Sequence, residues 1–379
     1  VKVVAAFDSF KGSLSSREAG EAVAEGVRAA VPDAEVVVVG VADGGEGLVD
    51  ALLVGGGHET FVDAVDPFGR PLRTGYAVLD DGTAVVEAAR TIGLDLVGAV
   101  DATVPYRASS SGLGLQVAAA LASGAPRVLV GLGGSATTDG GTGLLAALGA
   151  RLELVPEGSA GAGNLLPHVV AVHDLPDLSR VEVLTDVTSP LLGPTGAARM
   201  FGPQKGADPT QVEALEAHLT RWAPLLAAAS GQQVSAVVGT PGSGAAGGLG
   251  AALLACGATL VPGFARVAEL VGLDDALVGA DLVLTGEGSF DAQSALGKGP
   301  VGVADLARAR GVPVVVLAGR VEHPLGAVGE RVDAAFGVHP VPRTPLEAMD
   351  PIVTAAALRA TASQVVRLVR RTHGLADAR

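Results

Sequence analysis

The chain has 379 residues, which at roughly 150 residues per domain makes two or three domains. Hydrophobic residues make up 49% and charged residues 17%, and the 54 glycines and 22 prolines stay below the roughly 25–30% that marks low-complexity disorder, so disorder, collagen and coiled coil are excluded. A formal charge of −14 argues against nucleic acid and anionic membrane surfaces as partners, and the lone Cys256 permits no internal disulfide and fits a reducing, cytoplasmic compartment.

The mean hydropathy of +0.45 raises the question of membrane insertion. The apolar N-terminus VKVVAAF is interrupted by Asp8, too early for a signal peptide. The uncharged stretch from Trp222 to Ala265 is broken by glycines and by Pro224, Pro241 and Pro262, and its longest apolar run, Leu249 to Val261, is shorter than the roughly 20 residues of a spanning helix. It reads as buried, small-residue structure.

In chain order, Val1 to Phe7 is a continuous apolar run of the kind buried in a parallel sheet. The loop DSFKGS follows, and Ser15 with Glu18 forms a capping box that opens a helix ended by Pro32. Glu35 to Val41 is the next buried strand, with VADGGEG at its end and a short helix from Glu46 to Val54. This βαβ order implies a parallel sheet with right-handed crossovers.

From His58 the pattern changes to short β-prone runs separated by DPFG and DDG, which predicts antiparallel hairpins. A helix over Ser111 to Ser123, a strand over Arg127 to Leu132, the loop GGSATTDGG and a helix over Thr142 to Leu148 follow. His168 and His173 are placed in a loop. Val181 to Thr185 is a strand, and Asp208 with Pro209 opens a long helix. The last third returns to βα alternation: strands Leu282 to Thr285, Val312 to Leu317 and Ala334 to Val338, and helices Val301 to Arg310 and Leu346 to Leu368. One parallel α/β domain therefore combines residues 1–57 with 265–379, and residues 58–264 form an inserted mixed α/β domain. The active site is expected in the cleft between the two.

Several strands end in loops that mix glycine with Asp, Ser, Thr or Lys. In open α/β sheets ligands bind beyond the carboxyl ends of the strands, near the point where strand order reverses. Glycine lets main-chain N–H groups approach a phosphate, and a following helix adds its positive N-terminus. Carboxylates there repel phosphate unless they hold a divalent cation or take a proton from an attacking hydroxyl. Of the 26 basic residues only Lys2, Lys11, Lys205 and Lys298 are lysines, and the last three lie in or beside such loops. Glycine loops, acids and lysines together point to Mg²⁺-assisted phosphoryl transfer.

Other chemistries fail on spacing. GxxxxGK[ST], the protein-kinase HRD and DFG motifs, GxGxxG near the first strand, a serine-hydrolase elbow and a Cys/His zinc cluster are all missing. GLGGSATTDGGTG is similar to the phosphate loop of GHMP small-molecule kinases over Gly131 to Ala136. A GHMP-like kinase, another hydroxy-acid kinase and a non-catalytic nucleotide- or anion-binding regulator are the alternatives.

The ordered set DSFKGSLSS, VADGGEG, GLGGSATTDGGTG, DVTSPLLGPTGAARMFGPQKGAD, PGSGAAGGLG and TGEGSFDAQSALGKGP resembles the bacterial glycerate kinase type-1 family over nearly the whole chain. The resemblance implies phosphorylation of D-glycerate by ATP with Mg²⁺, 2-phosphoglycerate being the favoured product. It implies a Rossmann- or flavodoxin-like three-layer domain carrying a second, mixed-sheet α/β domain. A monomer or a homodimer is expected. With that chemistry in view, Asp8, Lys11, Asp186 and Lys298 are the catalytic candidates, Asp8 or Asp186 taking or orienting the hydroxyl proton. Asp43, Glu46 and Asp291 are candidates for Mg²⁺. Gly133, Gly134, Ser135, Thr137, Asp139, Gly286, Glu287 and Ser289 are candidates for the nucleotide, and Ser9, Ser13 and Lys205 for the substrate. Arg70, Arg90 or Arg107 is expected on the glycerate carboxylate.

Overall fold

The computed structural model describes residues 1–155, 163–295 and 299–372. Its two main sheets are built from β1 (Lys2–Phe7), β2 (Glu35–Gly40), β3 (His58–Val65), β4 (Pro71–Val78), β5 (Ala84–Glu87), β6 (Val128–Gly131), β7 (Val181–Leu184), β8 (Thr259–Val261), β9 (Leu282–Gly286), β10 (Val314–Ala318) and β11 (Ala334–Gly337). The helices that bear on the argument are α1 (Ser16–Ala30), α2 (Leu48–Leu53), α3 (Ser111–Ala122), α4 (Thr142–Ala147), α5 (Pro209–Ser230), α6 (Ala245–Ala255), α7 (Gly263–Leu270), α8 (Gly299–Arg308) and α9 (Pro351–Thr372).

The chain divides into two compact units. The first holds Val1–Asp43, Asp50–Gly56 and the described residues from Phe264 onward; the second holds Gly44–Val49 and Gly57–Gly263. The first unit's sheet runs β11-β10-β9-β1-β2 with every pair parallel. By order within the unit this is 2-1-3-4-5, the flavodoxin-like doubly wound arrangement, and strand order reverses between β1 and β9. β1 is buried on both faces, which is why it reads as an unbroken apolar run. Val3, Ala5 and Phe7 pack toward Ala19, Val23 and Val27 of α1 and Leu358, Ala362 and Val365 of α9. Val4 and Ala6 face Phe264 and Ala268 of α7 and Val301 and Ala304 of α8. The result is a three-layer α/β/α core, with the parallel sheet that the sequence pattern predicts and the layering that the family resemblance implies. The Ser15–Glu18 capping box of α1 is formed in both directions.

The second unit's sheet runs β8-β7-β6-β5-β4-β3. β3, β4 and β5 pair antiparallel as the two hairpins after His58, and β5, β6, β7 and β8 are parallel. Asp208 caps α5 with Gln211 as its reciprocal partner and Pro209 at the first helical position. The uncharged stretch is buried in part: Leu249, Ala251, Ala252 and Leu253 of α6 are fully covered, whereas residues 231–236 are exposed.

Three local expectations are corrected. His173 ends a strand, Val169–His173, antiparallel to Arg151–Leu154, where its Nε2 pairs with Glu153 Oε1 at 3.0 Å. The helix expected over Leu346 to Leu368 is two, Pro345–Ala348 and α9. Thr344 and Glu347 cap the first, and Pro351, lacking an N–H, starts the second. Gly44–Val49 belongs with the second unit, because Gly47 N and Val49 N donate to the buried Glu87 carboxylate at 3.0 and 3.1 Å. Among the described residues α9 alone has the length and apolarity of a membrane span; its apolar face is spent on the first unit's core.

Candidate active site

In the first unit the loops after β1, β2 and β9 carry the acids. Phe7 pairs with Gly286, and Asp8 N donates to Gly286 O at 3.0 Å, so Asp8 leaves the sheet at the strand-order reversal. Ser9 N donates to Asp8 Oδ1 at 2.6 Å. The helix α8 begins beside the same carboxylate: a Cβ on Gly299 would lie 2.7 Å from Asp8 Oδ2. Loss of water pushes the Asp8 carboxyl well above the ordinary carboxylate range; the Asp43 charge adds to this, the Ser9 N–H opposes it, and Glu287 adds less.

Glu287 Oε1 accepts from Ser294 Oγ at 2.8 Å, and Ser294 Oγ accepts from Asp291 N at 3.1 Å. Burial pushes Glu287 up to about 7, with the Ser294 bond opposing and the Asp291 and Asp43 charges adding. Asp8 and Glu287 therefore hold their protons more tightly than free carboxyls, and the Asp43 charge acts on both. Between about 4.5 and 7 the folded state keeps a proton on Glu287 that the unfolded chain releases. The stability contributed by that preference is complete at the acid end and lost as pH rises through the window. In chelator-treated protein, Glu287→Gln is expected to flatten the fall in unfolding free energy between those limits; an unchanged slope would remove Glu287 from the titration.

The other first-unit candidates separate. Lys11 is exposed, and its backbone N lies 3.6 Å from where a Cβ on Gly288 would stand, so the β1 and β9 loops are adjacent. Ser13 Oγ donates to Thr354 Oγ1 of α9 at 3.0 Å, a structural contact instead of the expected substrate contact. Ser289 is exposed on a two-residue strand paired with Arg320–Val321. Gly286 is a packing glycine, since a Cβ there would lie 1.9 Å from Leu317 O. Lys298 lies outside the described residues.

In the second unit the glycine loops converge at the carboxyl ends of β6 and β7. A Cβ on Gly131 would sit 2.4 Å from Gly44 O, and one on Gly133 2.3 Å from Gly45 Cα. Leu94 N donates to Gly134 O at 2.9 Å and Ala136 N to Ile92 O at 2.7 Å. Gly140 N donates to Gly247 O at 3.0 Å, which ties this loop to PGSGAAGG. Trp222 Nε1, from α5, donates to Gly140 O at 2.8 Å.

Asp139 is a structural residue, not an open ligand for the nucleotide. It is fully buried; its Oδ2 accepts from Ser110 N and Oγ, both at 2.8 Å, and from Gly143 N at 3.2 Å, while Oδ1 accepts from Gly141 N at 3.0 Å. One carboxylate thus fastens the starts of α3 and α4 together. Lys205 is also buried, only 3% exposed, beneath the same loop. Its Nζ donates to Ser135 Oγ at 3.1 Å and Thr137 O at 2.7 Å. Burial lowers its pKa to about 7, the Asp139 charge opposing. Direct contact with substrate, as expected for Lys205, is not what this buried placement offers. Thr137 Oγ1 is buried with no hydrogen-bond partner.

Asp186 and Glu46 are half-buried in the second unit, whereas Asp8, Asp43 and Asp291 belong to the first. The three arginines are committed: Arg70 to Asp66, Arg90 to Glu59 and Glu87, and Arg107 over the Phe68 ring at 4.6 Å. Sequence reasoning missed Glu87, Ser110, Trp222 and Thr354, all supports of the loops. Ser110 had a signal, a serine run just before a helix; Trp222 had one as the lone tryptophan.

Three comparisons bear on this site. A model of the glycerate kinase family matches residues 3–370. The chain is 39% identical over 348 residues to glycerate 2-kinase of Escherichia coli K12, covering 89% of this chain and 90% of that one. It is 40% identical over 350 residues to glycerate kinase of Bacillus subtilis, covering 90% and 91%. The crystal structure of a protein described as glycerate kinase 2 from Salmonella typhimurium LT2 superposes with a TM-score of 0.81 at 36% identity, over 98% of this chain and 99% of that one.

Proposed function

We propose that this chain, which belongs to the glycerate kinase family, transfers the γ-phosphoryl group of ATP to the 2-hydroxyl of D-glycerate in a Mg²⁺-dependent reaction. Its reaction class is phosphotransfer to an alcohol acceptor. The observation that carries the finer reading is the Asp8 carboxyl, seated where strand order reverses and raised in proton affinity by burial and by Asp43. Such a group takes or orients the hydroxyl proton as the oxygen attacks. The loose transition state of phosphoryl transfer asks little base strength of it and much positioning. The name of the Escherichia coli relative supports the 2-position.

The acids suit Mg²⁺ by donor chemistry: Asp8, Asp43, Glu287 and Asp291 offer hard oxygens, and a cation would offset the mutual repulsion that raises Asp8 and Glu287. Among the described residues no three His, Cys, Asp or Glu side chains gather closely enough to hold an ion by themselves. That fits a cation delivered with nucleotide phosphates, which keeps most of its water and takes one or two carboxylates. When bound it would neutralise charge on the phosphoryl oxygens. Asp43 and Asp291 are its first-unit candidates, and Lys11 is kept as a cation for the phosphates or the substrate carboxylate. In the second unit the Gly133–Thr137 turn receives an oxyanion. A cytoplasmic setting accords with the ATP requirement and with the buried, unreactive thiol of Cys256, pushed up to about 12.

Purified protein with ATP, Mg²⁺ and D-glycerate is expected to give 2-phosphoglycerate, followed by phosphorus NMR. A 3-phosphoglycerate signal would overturn the regiochemistry, and ATP left unconsumed would overturn the reaction.

A further inference from the structure

An ammonium has three N–H donors and no lone pair to accept with. Lys205 spends two of its donors on Ser135 Oγ and Thr137 O. A hydroxyl that accepts from an ammonium must direct its own hydrogen elsewhere, and the bond it accepts polarises that hydrogen. Among the described residues Ser135 Oγ has Lys205 as its hydrogen-bond partner and no acceptor for its hydrogen. Two residues on, Thr137 Oγ1 is fully buried and has no partner at all. The same short turn thus carries two hydroxyl hydrogens without acceptors. Unsatisfied buried hydroxyls are unfavourable unless something is meant to meet them.

The turn is braced by its neighbours. It is fastened by the Ala136–Ile92, Gly134–Leu94 and Gly140–Gly247 main-chain bonds, and Gly133 abuts Gly45. We propose that Lys205 is a positioning residue that fixes the Ser135 hydroxyl as a donor, so that Ser135 and Thr137 together hold an oxyanion of one substrate. The inference rests on the reading that this turn receives an oxyanion, and adds how the donors are set and from where. The ammonium supplies its charge from beneath, through Ser135, without touching the ligand. Burial lowers its proton affinity, and the Asp139 carboxylate opposes that.

The oxyanion is a carboxylate of the acceptor or a phosphate of the nucleotide, and separate titrations distinguish them. Calorimetry of the full chain with D-glycerate alone and with Mg–ATP alone is compared across Ser135→Ala, Thr137→Val, Lys205→Met and the Ser135→Ala/Lys205→Met pair. Ser135→Ala and Lys205→Met are each expected to weaken the same ligand by about tenfold, the scale of one hydrogen bond backed by charge. The double variant should be no weaker than either, because both break one relay, and the other ligand should bind as before.

Losses that multiply in the double variant, or Lys205→Met binding like the parent, would overturn the Lys205 role while leaving the turn as an oxyanion site. Unchanged affinities in both Ser135→Ala and Thr137→Val would overturn the oxyanion reading itself. If Lys205→Met fails to fold, Lys205→Gln takes its place. It keeps N–H donors without charge, and the same test of non-additivity with Ser135→Ala decides.

Discussion

Asp8→Asn is expected to lower kcat/KM for D-glycerate by about two to three decades, the range for loss of a positioned proton acceptor, with most of the loss in kcat. The substitution keeps the side chain's shape and keeps an oxygen for the Ser9 N–H, which lies 2.6 Å from Asp8 Oδ1. It removes the charge and the ability to take a proton. Uniform substrate binding would move KM; an interaction made as the hydroxyl attacks moves kcat and kcat/KM together. Stability should not fall with activity. Asp8 is crowded by Asp43 and, less strongly, by Glu287, so a neutral amide relieves repulsion and the thermal midpoint should hold or rise. That opposite movement separates the site role from a structural one. Full kcat in Asp8→Asn would remove Asp8 from the chemistry and leave Asp186 as the acceptor to test.

Much of the architecture was legible because local chemistry and global fold agree. The unbroken apolar run to Phe7 demands a strand covered on both faces, and the capping box at Ser15 and Glu18 marks a helix start without reference to anything distant. The DPFG and DDG turns announce hairpins whichever sheet they join. The family resemblance rested on loops, and loops ending parallel strands are where such folds bind ligands.

What was not legible depended on contacts across long separations. Asp139 stands in a loop rich in glycine, serine and threonine, and its density of polar groups looks like a ligand cradle. The carboxylate is consumed by Ser110, which is 29 positions away in the chain. Lys205 follows Pro203 and Gln204 in a polar stretch that reads as surface, yet its hydrogen bonds reach back 70 and 68 positions. Neither partner is visible from local pattern. Pro351 was a local signal left unused: its missing N–H starts α9 after the separate Thr344-capped turn. Several glycines proved to be places where two main chains meet, as Gly131 and Gly133 do with Gly44 and Gly45. In this chain close backbone approach explains a large part of the glycine content of the second unit's loops.

Gly247→Ala is expected to cost about 3 kcal/mol or more, at the severe end for a single substitution. Two penalties combine there. The residue is left-handed, at φ +69°, and a Cβ would stand 2.2 Å from Thr137 O and 2.5 Å from Thr138 Cα, main-chain atoms that cannot swing aside. Its neighbour Ala246 already adopts φ 50°, a conformation that costs a non-glycine residue about 1–2 kcal/mol, so the segment has little latitude to absorb more. Gly311→Ala is the control: φ is +71° and nothing lies within 4 Å of the added methyl, so it should cost only the conformational penalty, about 1–2 kcal/mol. The comparison isolates the packing of PGSGAAGG against the Ser135–Asp139 turn, because the backbone angles nearly match. Thermal denaturation should show Gly247→Ala well below Gly311→Ala; equal losses would mean that the two loops are not braced against each other. The functional consequence follows from the same atom. Thr137 O is the acceptor for Lys205 Nζ at 2.7 Å, so a methyl that displaces it also disturbs the ammonium that sets Ser135. Gly247→Ala protein that remains folded at low temperature should therefore bind the Ser135-dependent ligand more weakly, whereas Gly311→Ala should bind it as the parent does.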